Sequence, residues 1–451
     1  MALSLDLSKI INTIVPFEDF VWILQKEEYD GARYLHWLLR FFFRRHFTIQ
    51  EKLVPTPRAL LVISVTGILM LIGILVLFVI ASPFSRIIAV AVVFILLPLF
   101  VYLANLLLYP LFTILHARVR TQASRILSSH HNLKVIAVAG SFGKTTTKNF
   151  IYQLLRFHLR TQMTPGNINT PAGLAAWVVR HLSLGTQILI VEADSYHAYE
   201  MRMIANMIRP DIVVVTNVGD QHLERFKTPQ RLADALKLLS IHAAPNGVTI
   251  ADKNTLAQVA SDRRMILVDT DTLTYQGEPI HASHLSESNK ENLRLALAVA
   301  AQCAIPVHFV KKLVESLELP DRRQKHTFIH GYDGIDDSYN ISLTTAKAGI
   351  AAAYRIAQDE QKKLLVIAAG IPEAGPHEKD TNQKLGEALQ RADHVIVLGT
   401  MFADEIVRGV ASDQKISRYA TLAEFLVDAR THFPPHEWFL LQQPALPDLY
   451  Y

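Results

Sequence analysis

The chain has a single cysteine, Cys303, among 451 residues. No intramolecular disulfide can form, which excludes a disulfide-stapled framework and agrees with a reducing, cytosolic compartment. No zinc-ligand spacing occurs, and basic residues are not interleaved with aromatics, so the common routes to nucleic-acid binding are excluded. There is no internal repeat and no low-complexity tract, which excludes solenoid and linker-type architectures. The most informative absence is of charge. No charged residue lies between Ala59 and Ser85, and none between Ile87 and Leu115.

Each uncharged run exceeds the roughly 20 residues a helix needs to cross a bilayer. Between them lies Ser82-Pro-Phe-Ser-Arg86, a short turn. The pattern predicts a transmembrane helical hairpin over residues 58–116, against the alternative of two buried core helices. Pro98 and Pro110 are placed to kink the second span, or Pro110 to mark its exit. The first apolar run starts too far from Met1 for a cleaved signal peptide. Arg40, Arg44, Arg45, Lys52 and Arg58 precede the runs, Arg118, Arg120 and Arg125 follow them, and the turn has only Arg86. Positive residues favour the cytoplasmic side, so both termini are expected in the cytoplasm, with two spans in the cytoplasmic membrane. The net charge of +4 is read as membrane-surface charge. Residues 1–57 form a separate amphipathic segment. Phe20, Trp22, Ile23, Tyr34, Trp37 and Leu38 recur in amphipathic order, and Arg40-Phe-Phe-Phe-Arg-Arg45 suits an interfacial helix, with a soluble protein-binding helix as the alternative.

From residue 133 onward the pattern is α/β. Apolar runs at 134–139, 187–191, 211–216, 247–250 and 265–268 alternate with helix-period segments, which predicts a parallel sheet. Further runs at 363–368 and 394–398 predict a second α/β unit, with Leu319-Pro-Asp-Arg-Arg-Gln324 as the boundary. The expected organisation is therefore 1–57, 58–116, 117–318 and 319–451.

In Val135-Ile-Ala-Val-Ala-Gly-Ser-Phe-Gly-Lys-Thr-Thr-Thr-Lys148, a strand runs into a Gly-rich turn and then an apolar-periodic helix. Backbone N–H groups of such a turn, with a helix N-terminus behind them, cradle phosphate. Lys144 would reach the terminal phosphates and the Thr145 hydroxyl would meet Mg²⁺. The first Gly of the common G-x-x-x-x-G-K-[ST] pattern falls on Val138; Gly140 and Gly143 bracket Ser141 and Phe142 instead. The run Ile188-Leu-Ile-Val-Glu192-Ala-Asp194 ends in carboxylates, either of which could hold Mg²⁺ directly or through water. The run Ile212-Val-Val-Val-Thr-Asn217 leads to Asp220 and His222. Each lone polar residue could equally be a helix cap or a satisfied core group; their convergence on one phosphate loop favours a site.

Several segments keep a common order: Gly140-Ser-Phe-Gly-Lys-Thr-Thr-Thr-Lys148, Gly166-Asn-Ile-Asn-Thr-Pro-Ala-Gly173, Glu192 to Glu200, Thr216-Asn-Val-Gly-Asp-Gln-His-Leu-Glu-Arg-Phe226, Asp336-Asp-Ser-Tyr-Asn340 and Ala369-Gly-Ile-Pro-Glu-Ala-Gly375. Together, residues 134–448 resemble the Mur ligase family, closest to the branch that joins D-alanyl-D-alanine to the UDP-muramoyl-tripeptide of peptidoglycan. The resemblance implies a central P-loop parallel-sheet ATPase domain and a C-terminal Rossmann-like α/β domain. It implies ATP on Gly140, Ser141, Gly143, Lys144, Thr145 and Thr146, adenine on Asn289 and Asn292, and Arg322 with Asp337 gripping the nucleotide from across a cleft. It implies Mg²⁺ on Thr145, Glu192, His222 and Lys237, the last carbamylated in several members. It places Asn167, Asn169, Thr170, Asp336, Tyr339 and Asn340 at the peptide substrate.

The activity implied is ATP-dependent amide synthesis through an acyl phosphate, with Lys144, His222 and Lys237 in catalytic roles. The implied partners are a cell-wall precursor peptide, an amino acid or dipeptide, the bilayer and membrane enzymes of cell-wall synthesis; no nucleic acid is implied. The same chemistry on a poly-γ-glutamate or capsule-type peptide, and a non-catalytic ATP-binding scaffold, are the alternatives. Three features depart from the family. The usual N-terminal UDP-binding domain is replaced by the uncharged runs. The Met-Gly after the metal glutamate is Ala193-Asp194. The acidic residue two after the carbamylated lysine is Leu239.

Overall fold

The computed structural model describes residues 17–41, 53–80, 82, 85–166, 168–194, 197–219, 226, 228–269, 271–339, 341–372, 377–411 and 415–444. Asn167, His222 and Asn340 lie outside the described residues, as does the aromatic–basic run beyond Phe41. The chain divides into two compact units, one ending at Ala117 and one spanning 118–446.

The first unit is helical: α1 (Phe17–Lys26), α2 (Gly31–Phe41), α3 (Pro57–Ile80), α4 (Ser85–Ile95) and α5 (Leu97–Ser129), whose last turns belong to the second unit. Helices α3 and α5 are long and apolar enough to cross a membrane. The second uncharged run is not one helix. It breaks at Leu96, just before Pro98, which lacks an N–H and whose ring crowds the carbonyl four residues back. Pro110, by contrast, stays inside α5.

The amphipathic segment packs onto these helices. Val21, Trp22, Ile23 and Leu24 of α1 and Tyr34, Trp37 and Leu38 of α2 share a core with Ala59, Val62, Met70, Leu97, Val101 and Ala104. The Tyr34 hydroxyl donates to the Pro98 carbonyl at 3.2 Å, and Asn105 Nδ2 donates to the Tyr29 carbonyl at 2.9 Å. Arg58 donates to Asn105 Oδ1 at 3.2 Å and lies 4.0 Å over the Tyr29 ring. Residues 17–41 thus contribute buried surface to the apolar helices, because a 10- or 11-residue helix has too little of its own to fold alone.

The second unit holds two six-stranded sheets. The first comprises β1 (Lys134–Ala139), β2 (Thr161–Met163), β3 (Ile188–Glu192), β4 (Ile212–Val215), β5 (Val248–Asp252) and β6 (Arg264–Val268), in the order β2-β3-β1-β4-β5-β6 and wholly parallel. Its helices are α6 (Lys144–Leu155), α7 (Pro171–His181), α8 (Ala198–Ile208), α9 (Pro229–Ile241), α10 (Lys253–Val259), α11 (Glu287–Gln302) and α12 (Val307–Glu315), with a small hairpin of β7 (Thr274–Tyr275) and β8 (Glu278–Pro279). Alternate β1 side chains feed opposite faces: Val135, Ala137 and Ala139 join one core, Ile136 and Val138 the other. Ala123 and Leu127 from the end of α5 are buried in the first of these cores.

The second sheet comprises β9 (Lys325–Ile329), β10 (Tyr332–Asp336), β11 (Lys363–Ala368), β12 (His394–Leu398), β13 (Ile416–Tyr419) and β14 (Trp438–Gln442), interleaved with α13 (Leu343–Asp359), α14 (Glu378–Leu389), α15 (Ala403–Val410) and α16 (Leu422–His432). The order is β13-β12-β11-β14-β10-β9, parallel except for the antiparallel edge strand β9.

Candidate active site

β1 lies between β3 and β4, and the chain crosses from one side of β1 to the other after β3. The carboxyl ends of these strands therefore form a crevice where open α/β sheets bind ligands. The turn leaving β1 fills it. Gly140 has φ 134° and Gly143 φ 80°, a region that disfavours side chains. A Cβ at Gly140 would lie 2.2 Å from Thr216 Oγ1, and one at Gly143 2.3 Å from Asn292 Oδ1. The turn is braced by the residues that follow β4. Thr216 Oγ1 and Asn217 Nδ2 both donate to the Phe142 carbonyl, at 2.6 and 3.0 Å. The Phe142 N–H donates to Asn217 Oδ1 at 3.2 Å, and the Gly219 N–H to Ser141 Oγ at 2.8 Å.

Charged groups converge behind this turn. Lys144, at the start of α6, donates to the carbonyls of Gly140 and Ser141 at 2.8 and 3.0 Å and pairs with Asp194 Oδ2 at 3.1 Å. One turn on, Lys148 Nζ lies 3.0 Å from Glu192 Oε2 and donates to the Gly166 carbonyl at 3.1 Å. Lys148 is only 1% exposed and Glu192 4%, so each charge needs the other. Thr145 Oγ1 donates to the same Glu192 oxygen at 2.9 Å and accepts from Arg323 Nη2 at 2.9 Å. Burial pulls the Arg323 guanidinium below its ordinary value, opposed by the nearby Glu192, Tyr339 and Asp337. A glycine cradle that no Cβ can enter, with a hydroxyl and a carboxylate side by side at its mouth, fits a polyphosphate with a hard divalent cation.

α11 closes another side. Thr147 Oγ1 donates to Asn292 Oδ1 at 3.1 Å, and Asn289 Nδ2 is buried without a partner among the described residues. That orphaned donor beside the loop is what a nucleotide contact would satisfy. Thr146 is buried in the first turn of α6. Thr170 caps α7 by accepting from the Gly173 N–H at 3.3 Å, with Asn169 half-buried before it. Lys237 is half-buried on α9.

The segment joining the two sheets contributes adjacent arginines. Arg322, at φ 60°, turns to Ser338, donating to its hydroxyl at 2.9 Å and its carbonyl at 2.7 Å. Arg323 is the arginine that reaches the phosphate loop, and it stacks 4.1 Å from the Tyr339 ring. Asp336 accepts from the Ser338 N–H at 3.1 Å. Asp337 is buried beyond the end of β10, and burial pushes its carboxyl up to about 8 against the pull of Gln324 and Arg323. Sequence reasoning assigned no role to Lys148, Thr216, Asn217 or Arg323. The first three stand inside motifs it quoted, where nothing marks them as structural partners of the loop.

Residues 138–306 match the Mur ligase middle domain. The chain is similar to the UDP-N-acetylmuramoyl-tripeptide–D-alanyl-D-alanine ligase of Bacillus subtilis, 25% identical over 319 residues, 65% of this chain and 69% of that protein. It is 25% identical over 301 residues to the ligase of the same name from Mycobacterium bovis, spanning 59% of each. Among solved structures it resembles MurF of Acinetobacter baumannii (TM-score 0.63, 22% identity, 73% of this chain and 77% of that one). It also resembles the MurF ligase of Thermotoga maritima in complex with ADP (TM-score 0.63, 22% identity, 74% and 81%). At that identity the structural likeness is one of fold.

Proposed function

The chain is a Mur ligase family protein close to MurF, and from that premise we propose that it is an ATP-dependent ligase of cell-wall precursor synthesis, held at the membrane by its apolar helices. The observation that carries this reading is the convergence of Lys144, Thr145, Glu192 and Arg323 on one glycine-cradled turn.

A carboxylate and an amine do not condense in water, because oxide is a poor leaving group. The γ-phosphoryl group of ATP moves to the substrate carboxylate, giving an acyl phosphate and ADP. The amine then attacks the acyl carbon, and inorganic phosphate leaves as the amine loses its proton. Catalysis of this kind is mostly positioning and charge neutralisation. Lys144 and the loop N–H groups offset charge on the transferred group, and Arg323 adds a second cation from the segment between the sheets. Thr145 and Glu192 would hold Mg²⁺, and His222 and a carbamylated Lys237 would supply further ligands. When bound, the ion would supply charge neutralisation where the anionic nucleotide meets the anionic substrate carboxylate. Asn289 and Asn292 would contact the base, and residues of the Asn167–Thr170 and Asp336–Asn340 motifs would bind the peptide.

The direct test is ADP release by the purified full chain in detergent, with UDP-muramoyl peptides and D-alanyl-D-alanine. ADP and phosphate should appear together and only when carboxylate and amine are both present. Failure across a panel of such peptides and amines would overturn the ligase reading.

A further inference from the structure

A lysine ammonium has three donors and no acceptor. Lys144 donates two hydrogen bonds within the protein, to Gly140 O and Ser141 O, and its Nζ lies 3.1 Å from Asp194 Oδ2 in an ion pair. As arranged, the charge that would meet a phosphoryl oxygen is already paired with a carboxylate. The two acceptors are neutral carbonyls of the loop itself. The ion-pair partner is an anion on the segment leaving β3, and a phosphoryl oxygen is an anion of the same kind. The Lys144 side chain is 8% exposed and that of Asp194 19%, so solvent screens their attraction weakly.

We propose that Asp194 is a specificity-determining residue: it competes with the nucleotide polyphosphate for Lys144, so that the loop selects magnesium-complexed over free nucleotide. The inference rests on the nucleotide-binding function proposed above. Free ADP or ATP must displace the carboxylate from Lys144 and then lie beside it, two residues from Glu192, like charge against like charge. A divalent cation carried in with the nucleotide offsets both carboxylates, so the displacement costs much less with it than without it.

The test measures ADP binding to the full chain in detergent by calorimetry, in magnesium and in EDTA. Asp194→Asn keeps the shape and removes the charge; Asp194→Gly removes the side chain and serves if the first variant does not fold. Either variant should bind ADP in EDTA about tenfold or more tightly than the wild type, the worth of one charge-assisted contact, and the preference for magnesium should shrink by the same factor. Equal affinities of wild type and variants in EDTA would overturn the inference. So would a loss of affinity in both media, which would make Asp194 a support of the site. A wild-type chain that binds no ADP even in magnesium would overturn the proposed function together with this inference. Normal wild-type binding with unresponsive variants would overturn the inference alone.

Discussion

At the scale of single residues, Lys144 and Asp337 carry opposite expectations. Lys144 is proposed to neutralise the transferred phosphoryl group, so Lys144→Ala should lower substrate-dependent ADP release about 10²–10³-fold, the range for removal of one preorganised electrostatic contact. Its partners in the free protein are two loop carbonyls and one carboxylate, so the variant should fold; unchanged turnover would contradict the role. Asp337 bears on stability. Burial raises its carboxyl to about 8, against an ordinary value of 3.8. Between those values the unfolded chain has released the proton and the folded chain still holds it, so this group makes stability fall as pH rises. The slope is at most about 1.4 kcal/mol per pH unit. Asp337→Asn has no such titration. Its thermal midpoint relative to wild type should therefore climb from pH 5 to pH 8, as scanning calorimetry would show; a constant difference would mean that Asp337 is ionised in the fold.

At the scale of elements, legibility follows an unbroken apolar run: the edge strand β6 leaves one at 265–268, whereas the internal strand β10, interrupted by Asp333, Gly334 and Asp336, leaves none. β1, β3, β4, β5, β11 and β12 have sheet neighbours on both sides and read as continuous apolar runs, within a residue or two of their observed ends. β2 is three residues long and β9 is an exposed edge, so neither leaves such a run. β14, between β11 and β10, is as long as β3 and β12, and the sequence reading assigns it no strand. The strand–turn–helix of the phosphate loop is legible because its signals are local. The contacts that brace it, from Thr216, Asn217 and Asn292, come from distant sequence and cannot be read from spacing. Arg322 and Arg323 show the same limit: the left-handed backbone at Arg322 directs the two side chains to different partners, and no sequence rule separates neighbours of one type. Gly143 tests the loop as an element. In Gly143→Ala the left-handed backbone costs about 1–2 kcal/mol, and the new methyl meets Asn292, which must move away from Thr147. ADP affinity should fall along with the unfolding midpoint; wild-type affinity in that variant would show that the cradle tolerates a side chain.

At the scale of the whole molecule, the division at Ala117/Arg118 falls within α5, a helix that the sequence assigns to the membrane only as far as Leu115. The basic residues flanking the uncharged runs predict that Ser85→Cys, in a chain lacking Cys303, is labelled from outside the cell and Thr121→Cys is not; the reverse pattern would invert the proposed orientation. The same boundary predicts where the ligase can be cut. Val119, Ala123, Ile126 and Leu127, on the last turns of α5, pack into the core of the first sheet alongside Val135 and Ala137. A chain starting at Arg118 keeps them and should unfold cooperatively, bind ADP with magnesium and release ADP with soluble substrates, without detergent. A chain starting at His130 loses them. Deleting even one buried leucine side chain costs about 2–5 kcal/mol, a large share of a typical domain's stability. The shorter chain should therefore melt markedly lower or aggregate, although every phosphate-loop residue is present. Equal melting temperatures would assign α5 wholly to the membrane unit. If the longer chain binds ADP yet ligates no soluble precursor, the helices before Ala117 must do more than tether, and a lipid-linked acceptor becomes the substrate to test.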